Sequence, residues 1–216
     1  LPIWFRNYDF SLREARSEFL FTAPYFLLAS VQLDNSTYFQ REIEKNYILN
    51  RVGTQLTFGR DLWLHSRIFS TTKIENNYFS RFDTASVLDT ANTRIRSVDF
   101  NFSRDTRDNL FDPRFGSYVK LSTLVAGQFL SGTNSFVRFT ADYRRYRTLN
   151  QKFSLAGNAF FGFLFETAGA RGTPIYERFY AGGDGSIRGY RDRVIGPKLN
   201  GDPVGGNFKF VVRGEA

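Results

Sequence analysis

A two-residue alternation of apolar and polar side chains recurs along most of this chain and limits the folds it can adopt. In segment 134–146 one face is apolar and the other polar: Val137, Phe139, Ala141 and Tyr143 against Arg138, Thr140, Asp142 and Arg144. Segment 96–105 repeats the pattern, with Val98, Phe100 and Phe102 against Ser97, Asp99, Asn101 and Ser103. Because successive side chains of a β-strand point to opposite faces, this period predicts an all-β chain of antiparallel strands.

The composition of the two faces favours a membrane barrel over a soluble sandwich. Aromatic residues make up 18% of the chain and charged residues 23%, and the two kinds are interleaved. A soluble β-sandwich needs an apolar inner face on each sheet, and the second face here is too polar for that. A transmembrane β-barrel exposes its apolar face to lipid and its polar face to a wet lumen. We predict the barrel and keep the sandwich as the alternative.

Turn signals divide the chain into about nine strands. Short polar connections are expected at residues 59–61, at 131–134 and near residue 150, and long ones at 70–93 and 167–204. In segment 151–166 the alternation is imperfect, because Phe160 and Leu164 fall on the polar face. An open sheet in a bilayer leaves backbone groups unpaired, each costing several kcal/mol. Nine strands therefore predict a part of a larger barrel.

Charge and residue types argue against other classes of function. The net charge of +8 is compatible with nucleic-acid binding, but the arginines are scattered instead of forming a stripe. His65 is the only histidine and cysteine is absent, so a histidine-rich metal centre, a thiolate site and a disulfide scaffold are excluded. We predict no enzyme active site, no metal and no cofactor.

Four segments carry a family resemblance. The stretch FYAGGDGSIRGYRDRVIGP (179–197) contains Ile187, Arg188, Gly189 and Tyr190, and resembles the [VI]-R-G-[FY] signature in the sixth extracellular loop of the Omp85 superfamily. The segments FTAPYF (21–26), SRDTRDNLFDPRFGSYVKLS (103–122) and VGGNFKFVVRGE (204–215) resemble three other segments of that superfamily, in family order.

The resemblance implies a place in the barrel and a function. It implies about strands four to twelve of a sixteen-stranded barrel in the bacterial outer membrane, with the periplasmic POTRA domains and the terminal strands outside residues 1–216. BamA-like members insert and fold outer-membrane β-barrel proteins, so the implied partners are nascent barrel proteins, lipid and accessory periplasmic lipoproteins. A TamA-like or two-partner-type secretion pore is the alternative, and a soluble β-domain that binds polyanions is a third reading.

The resemblance also implies a functional ion pair. It implies that the long loop turns back into the lumen, where Arg188 pairs with Glu215 on the polar face of the following strand and Tyr190 packs against the inner wall. The loop glycines Gly182 and Gly183 permit the tight backbone that such a path requires.

A second set of residues is assigned to structure. Asp105, Arg107 and Asp108 are expected to tie a periplasmic turn by local charge-assisted hydrogen bonds, together with Pro113 and Gly116. A solvated hairpin end with a type I turn at Asp112–Pro113 is the simpler reading of the same segment.

Overall fold

The computed structural model describes residues 14–26, 30–43, 47–82, 92–127, 130–150, 153–167, 173–183 and 185–215. Eight strands are joined in sequence: β1 (Glu14–Ala23), β2 (Gln32–Ile43), β3 (Tyr47–Trp63), β4 (Ser66–Phe82), β5 (Thr93–Asp105), β6 (Phe115–Ala126), β7 (Phe136–Thr148) and β8 (Ser154–Glu166). A long loop follows and contains a 3-10 turn (Ile175–Glu177) and the two-residue strands β9 (Lys198–Leu199) and β10 (Asp202–Pro203). Strand β11 (Phe208–Glu215) ends the described chain.

The strands form one antiparallel sheet of nine strands in the order β1-β2-β3-β4-β5-β6-β7-β8-β11. The prediction of an all-β antiparallel fold with about nine strands is confirmed. Within the described ranges, no helix has the length and apolarity needed to cross a membrane.

The outer face of the sheet is built of cross-strand rows of apolar side chains. Two adjacent rows, apolar except for Thr123, cross the last five strands of the sheet. The first contains Phe100, Thr123, Phe139, Phe163 and Phe208, and the second Phe102, Leu121, Ala141, Phe161 and Phe210. Phe100, Phe163 and Phe210 are solvent-exposed in the isolated chain. Removing each such ring from water contributes about 1.5–3 kcal/mol, so this face gains its stability from contact with lipid.

The inner face is polar along most of its length but carries an apolar cluster near the long loop. This inner apolar cluster consists of Ile95, Leu124, Ala126, Phe136 and Leu164, with Phe179 of the loop packed against it. Leu164 breaks the alternation in the sequence because it belongs to this cluster. Phe160, the other irregular position, meets the Phe179 ring edge to face at 6.4 Å.

Two of the predicted connections are wrong. Residues 59–61 lie inside β3, and the turn to β4 is formed by Leu64 and His65 instead. Gly59 is typical of a turn in the sequence, but it lies within β3, where the end of the Arg67 side chain passes over it: a Cβ there would lie 2.9 Å from Nη2 of Arg67. Residues 70–82 belong to β4, so the long connection expected at 70–93 begins later.

Candidate functional site

The long loop lies against the inner face of the sheet and is fixed there by Phe179. Its backbone pairs with Gly206 through N–H···O bonds of 2.9 and 2.8 Å, which join the outgoing and returning parts of the loop. On β8, a Cβ at Gly162 would lie 2.7 Å from the Phe179 ring. The ring therefore occupies space that exists only because residue 162 has no side chain.

Tyr176 anchors the loop to three strands. Its hydroxyl accepts a hydrogen bond from Nδ2 of Asn77 at 2.9 Å and lies 2.5 Å from Oγ1 of Thr93. The Arg51 guanidinium lies over the ring at 5.2 Å, and the Phe79 ring packs beside it. Burial raises the pKa of Tyr176 well above its ordinary value, so the hydroxyl stays neutral.

Glu177 anchors the loop by charge. Its side chain is only 7% exposed, and its carboxylate accepts a 2.6 Å bond from Nη1 of Arg138 on β7. Nζ of Lys73 on β4 lies 3.9 Å from the same carboxylate. Burial raises the pKa of Glu177, but Lys73, Arg138 and Arg51 together outweigh it and lower the pKa below its ordinary value. The buried carboxylate is thus charged and held by cations from the sheet.

Further contacts hold the rest of the loop. Arg193 stacks on the Tyr180 ring at 4.0 Å and lies 3.4 Å from the Glu42 carboxylate on β2. Nζ of Lys209 on β11 donates a 2.5 Å bond to the Tyr180 carbonyl. Together with the contacts above, these span the sheet from β2 to β11.

The glycine-rich segment forms a compact turn at the predicted positions. Gly182 and Gly183 have φ values of 112° and 80°, and a Cβ at Gly182 would lie 2.3 Å from the Arg191 carbonyl oxygen. Ser186 closes the turn, because its hydroxyl both donates to the Gly182 carbonyl and accepts from the Gly182 N–H, each at 2.8 Å. Gly189 also has a positive φ, 85°, and Ile187 bridges to Gly183.

Arg188 and Glu215 are brought together by this turn. Nη2 of Arg188 lies 2.9 Å from Oε1 of Glu215, and the side chains are 71% and 55% exposed. Both side chains are largely exposed in the described chain, where Glu215 lies on β11, the edge strand of the sheet. Tyr190 is exposed as well among the described residues, and its packing against the inner wall stays a prediction; its carbonyl accepts a 3.0 Å bond from the Gly183 N–H.

The predicted turn residues meet at the other end of β5 and β6. Arg107 makes paired bonds of 2.9 and 2.6 Å to Asp105, while Asp108 accepts from the backbone N–H of Arg114 and Phe115. These backbone bonds lower the pKa of Asp108. Gly116 has a φ of 102°, and its Cβ would lie 2.1 Å from the Thr106 carbonyl oxygen.

Pro113 lies half-buried between β5 and β6, in residues 106–114. Asn109, which the sequence did not single out, caps this connection by accepting from the N–H groups of Phe111 and Asp112. Among the residues that the structure describes, no group of three or more His, Cys, Asp or Glu side chains is arranged to hold a metal ion.

Sequence reasoning missed the strongest anchors of the loop. Tyr176, Glu177 and Arg193 were not singled out, although the run IYERFY (175–180) mixes aromatic and charged residues in a way unusual for a solvated loop. Their partners lie on strands far away in sequence, such as Arg138 and Asn77, so no local pattern pairs them.

Comparison with known sequences identifies the family. The Omp85 superfamily domain matches residues 7–216. The outer membrane protein assembly factor BamA of Nitratidesulfovibrio vulgaris is 28% identical over 193 residues, which are 87% of this chain and 24% of that protein. A SAM50-like protein of Schizosaccharomyces pombe is 30% identical over 172 residues, 77% of this chain and 36% of that protein. The chain thus spans about a quarter to a third of these relatives.

A solved structure has the same fold. BamA from Haemophilus ducreyi lacking POTRA domains 1–3 superposes with a TM-score of 0.84 at 16% sequence identity, covering 93% of this chain and 44% of that one. The chain belongs to the Omp85 superfamily and forms part of a β-barrel of the bacterial outer membrane.

Proposed function

We propose that this chain is the central part of an outer-membrane insertase, which folds β-barrel proteins into the membrane. The observation that carries the proposal is the loop of residues 173–207, held against the inner face by Tyr176 and Glu177 and presenting Arg188 to Glu215. The named relatives in outer-membrane protein assembly support it. By family resemblance, residues 1–216 correspond to about strands four to twelve of sixteen, and POTRA domains belong to other parts of the protein.

The proposed mechanism is non-enzymatic. The docked loop contacts strands from β2 to β11, so it braces this part of the barrel as one rigid wall. Strain and opening then concentrate at a weaker seam elsewhere in the barrel, where a nascent strand is paired and released. The proposed partners are nascent outer-membrane β-barrel proteins, outer-membrane lipid and accessory periplasmic lipoproteins.

The test uses the full-length protein in liposomes and measures how fast an unfolded barrel substrate becomes folded. Arg188→Ala and Glu215→Ala should each slow insertion several-fold, and the double variant should be little worse than either single one. Because the pair is exposed, its contribution to stability should stay below about 1 kcal/mol, so insertion should fall without a matching loss of stability.

The matched control is Arg191→Ala, an exposed loop arginine without a side-chain partner among the described residues. It should leave insertion unchanged. Simple addition of the losses at 188 and 215 would show that the two residues act independently. If the Arg188 and Glu215 variants insert barrel substrates normally but export a soluble protein more slowly, the function would instead be that of a secretion pore.

A further inference from the structure

An open groove lies at the end of β7, β8 and β11 opposite to the end where the long loop leaves β8 and enters β11. Its volume is about 530 Å³, it is wide open to solvent, and on one side it is bounded by β11, the edge strand of the described sheet. Seven residues line it: Arg145, Arg147, Leu155, Ala156, Gly157, Gly214 and Glu215. None of them belongs to the loop anchors described above, apart from Glu215 at the border.

Five of the lining residues lie on the outer face, directly beyond the apolar band, whereas Ala156 and Glu215 have the parity of the inner face. The row Tyr143, Ala159 and Val212 is the last apolar one, and the next row along the same strands is Arg145, Gly157 and Gly214. A Cβ added at either glycine would meet no atom within 4 Å. The groove therefore exists because Gly157 on β8 and Gly214 on β11 leave the space beside Arg145 empty.

The groove has an excess of positive charge. Arg145 and Arg147 are exposed, and neither contacts a carboxylate among the described residues. Glu215 borders the groove, but its carboxylate is engaged by Arg188 at 2.9 Å. Arginine side chains bind phosphate oxygens in a bidentate geometry, and basic groups at a membrane interface attract anionic headgroups. The charge of the groove thus complements a phosphate.

We propose that this groove binds an anionic phospholipid at the membrane interface. Arg145 and Arg147 hold the headgroup phosphate, and an acyl chain lies over Gly157 and Gly214 toward the apolar band at Val212. The groove is continuous with the apolar band, which can bind an acyl chain. A lipid therefore gains free energy from this contact, whereas a free phosphate ion does not. The site is independent of the proposed insertase activity and depends only on the barrel lying in the outer membrane.

The test is native mass spectrometry of the full-length protein purified from vesicles of phosphatidylglycerol and phosphatidylethanolamine. The double variant Arg145→Gln and Arg147→Gln should retain on the order of tenfold less phosphatidylglycerol. The control changes Arg60 and Arg104 to Gln; these exposed arginines pair across strands with Ile68 and Val119 instead of glycine. It should retain lipid like the unaltered protein.

A second variant keeps the charge and removes the space. Gly157→Val should also lose the lipid, because its methyl groups fill the groove, and this result remains decisive if the arginine variant fails to fold. Equal lipid retention in Gly157→Val and the unaltered protein would overturn the proposal. Displacement of the lipid by an equal concentration of inorganic phosphate would overturn it too, since the site would then select the ion.

Discussion

Glu177 shows at the scale of one residue how the loop is held. Its buried carboxylate is 2.6 Å from Arg138 and 3.9 Å from Lys73. Glu177→Gln keeps the shape but leaves Arg138 without a carboxylate partner, whereas Lys73 keeps Glu75 at 3.7 Å. We therefore expect a loss of about 2–4 kcal/mol in the stability of the docked loop. Urea unfolding of the full-length barrel measures it.

The control for that variant is an exposed carboxylate. Asp112 and Arg114 are 3.8 Å apart with side chains 80% and 66% exposed, so Asp112→Asn should change stability by less than about 1 kcal/mol. Equal losses in the two variants would contradict the role of burial at Glu177.

Acid should release the loop only below the usual titration range of a carboxyl group. Burial raises the pKa of Glu177, but the cations Lys73, Arg138 and Arg51 lower it below its ordinary value. The ionised Glu177 carboxylate therefore contributes fully to the stability of the docked loop at any pH above the pKa of an unfolded glutamate, about 4.3. This contribution is lost as the pH falls through the lower pKa of Glu177 in the folded protein. The fraction of molecules with a docked loop should therefore not change with pH above about pH 5.

Amide exchange in the loop as a function of pH measures this dependence. The acid transition should be absent in Glu177→Gln, which has no carboxylate to protonate. A release of the unaltered loop between about pH 5 and pH 7 would show that another group controls docking.

At the scale of the elements, Gly162 decides whether the loop docks on β8. Its missing side chain makes room for the Phe179 ring, which a Cβ would approach to 2.7 Å. Gly162→Val should expel the ring and undock the loop while leaving β8 in place. Gly157→Val is the matched control on the opposite face of the same strand, since its Cβ meets no atom within 4 Å. Protease cleavage of the loop in intact cells should rise only in the first variant.

The connection between β5 and β6 depends on Gly116 in a different way. Its φ is 102°, and an added Cβ would lie 2.1 Å from the Thr106 carbonyl oxygen, so both the backbone and the space exclude a side chain. Gly116→Ala should cost about 1–3 kcal/mol, whereas Gly185→Ala, which has open space, should be nearly neutral. Thermal loss of the folded form on semi-native gels compares the two, and equal midpoints would contradict this reading.

The sequence predicts the strands better than the turns, for a physical reason. Alternation is imposed by lipid on one side and water on the other, so every strand repeats it. The β3–β4 turn uses Leu64 and His65, and His65 adopts a φ of 74° without the Gly or Asn that usually marks such a turn. Gly59 is typical of a turn in the sequence, but it lies inside β3.

The sequence predicts only those residues of the candidate site that belong to the family motifs. The motif implied Arg188, Glu215 and the loop glycines, which the structure brings into one region. The anchors Tyr176 and Glu177 depend on partners more than thirty residues away, such as Arg138. Such pairs are set by the register of the whole sheet, which no local pattern reveals.

At the scale of the whole molecule, the sheet has two edges. Among the described residues β1 pairs only with β2, and β11 only with β8. Unpaired backbone groups cost several kcal/mol each in hydrocarbon, so residues 1–216 expressed alone should not insert as a stable unit. Supplying the flanking strands should restore a heat-modifiable barrel. Stable insertion of the isolated segment as a monomer would contradict the reading of the sheet as part of a larger barrel.

The central claim is that the loop is docked on the inner face of the barrel wall. Hydrogen exchange of the full-length protein in lipid tests it at Phe179, Ala181 and Gly206, whose N–H groups donate backbone bonds of 2.9, 3.3 and 2.8 Å. We predict protection of these amides by at least about a hundredfold, and its loss in Gly162→Val. Exchange as fast as in an unstructured peptide, in the unaltered protein, would contradict the account.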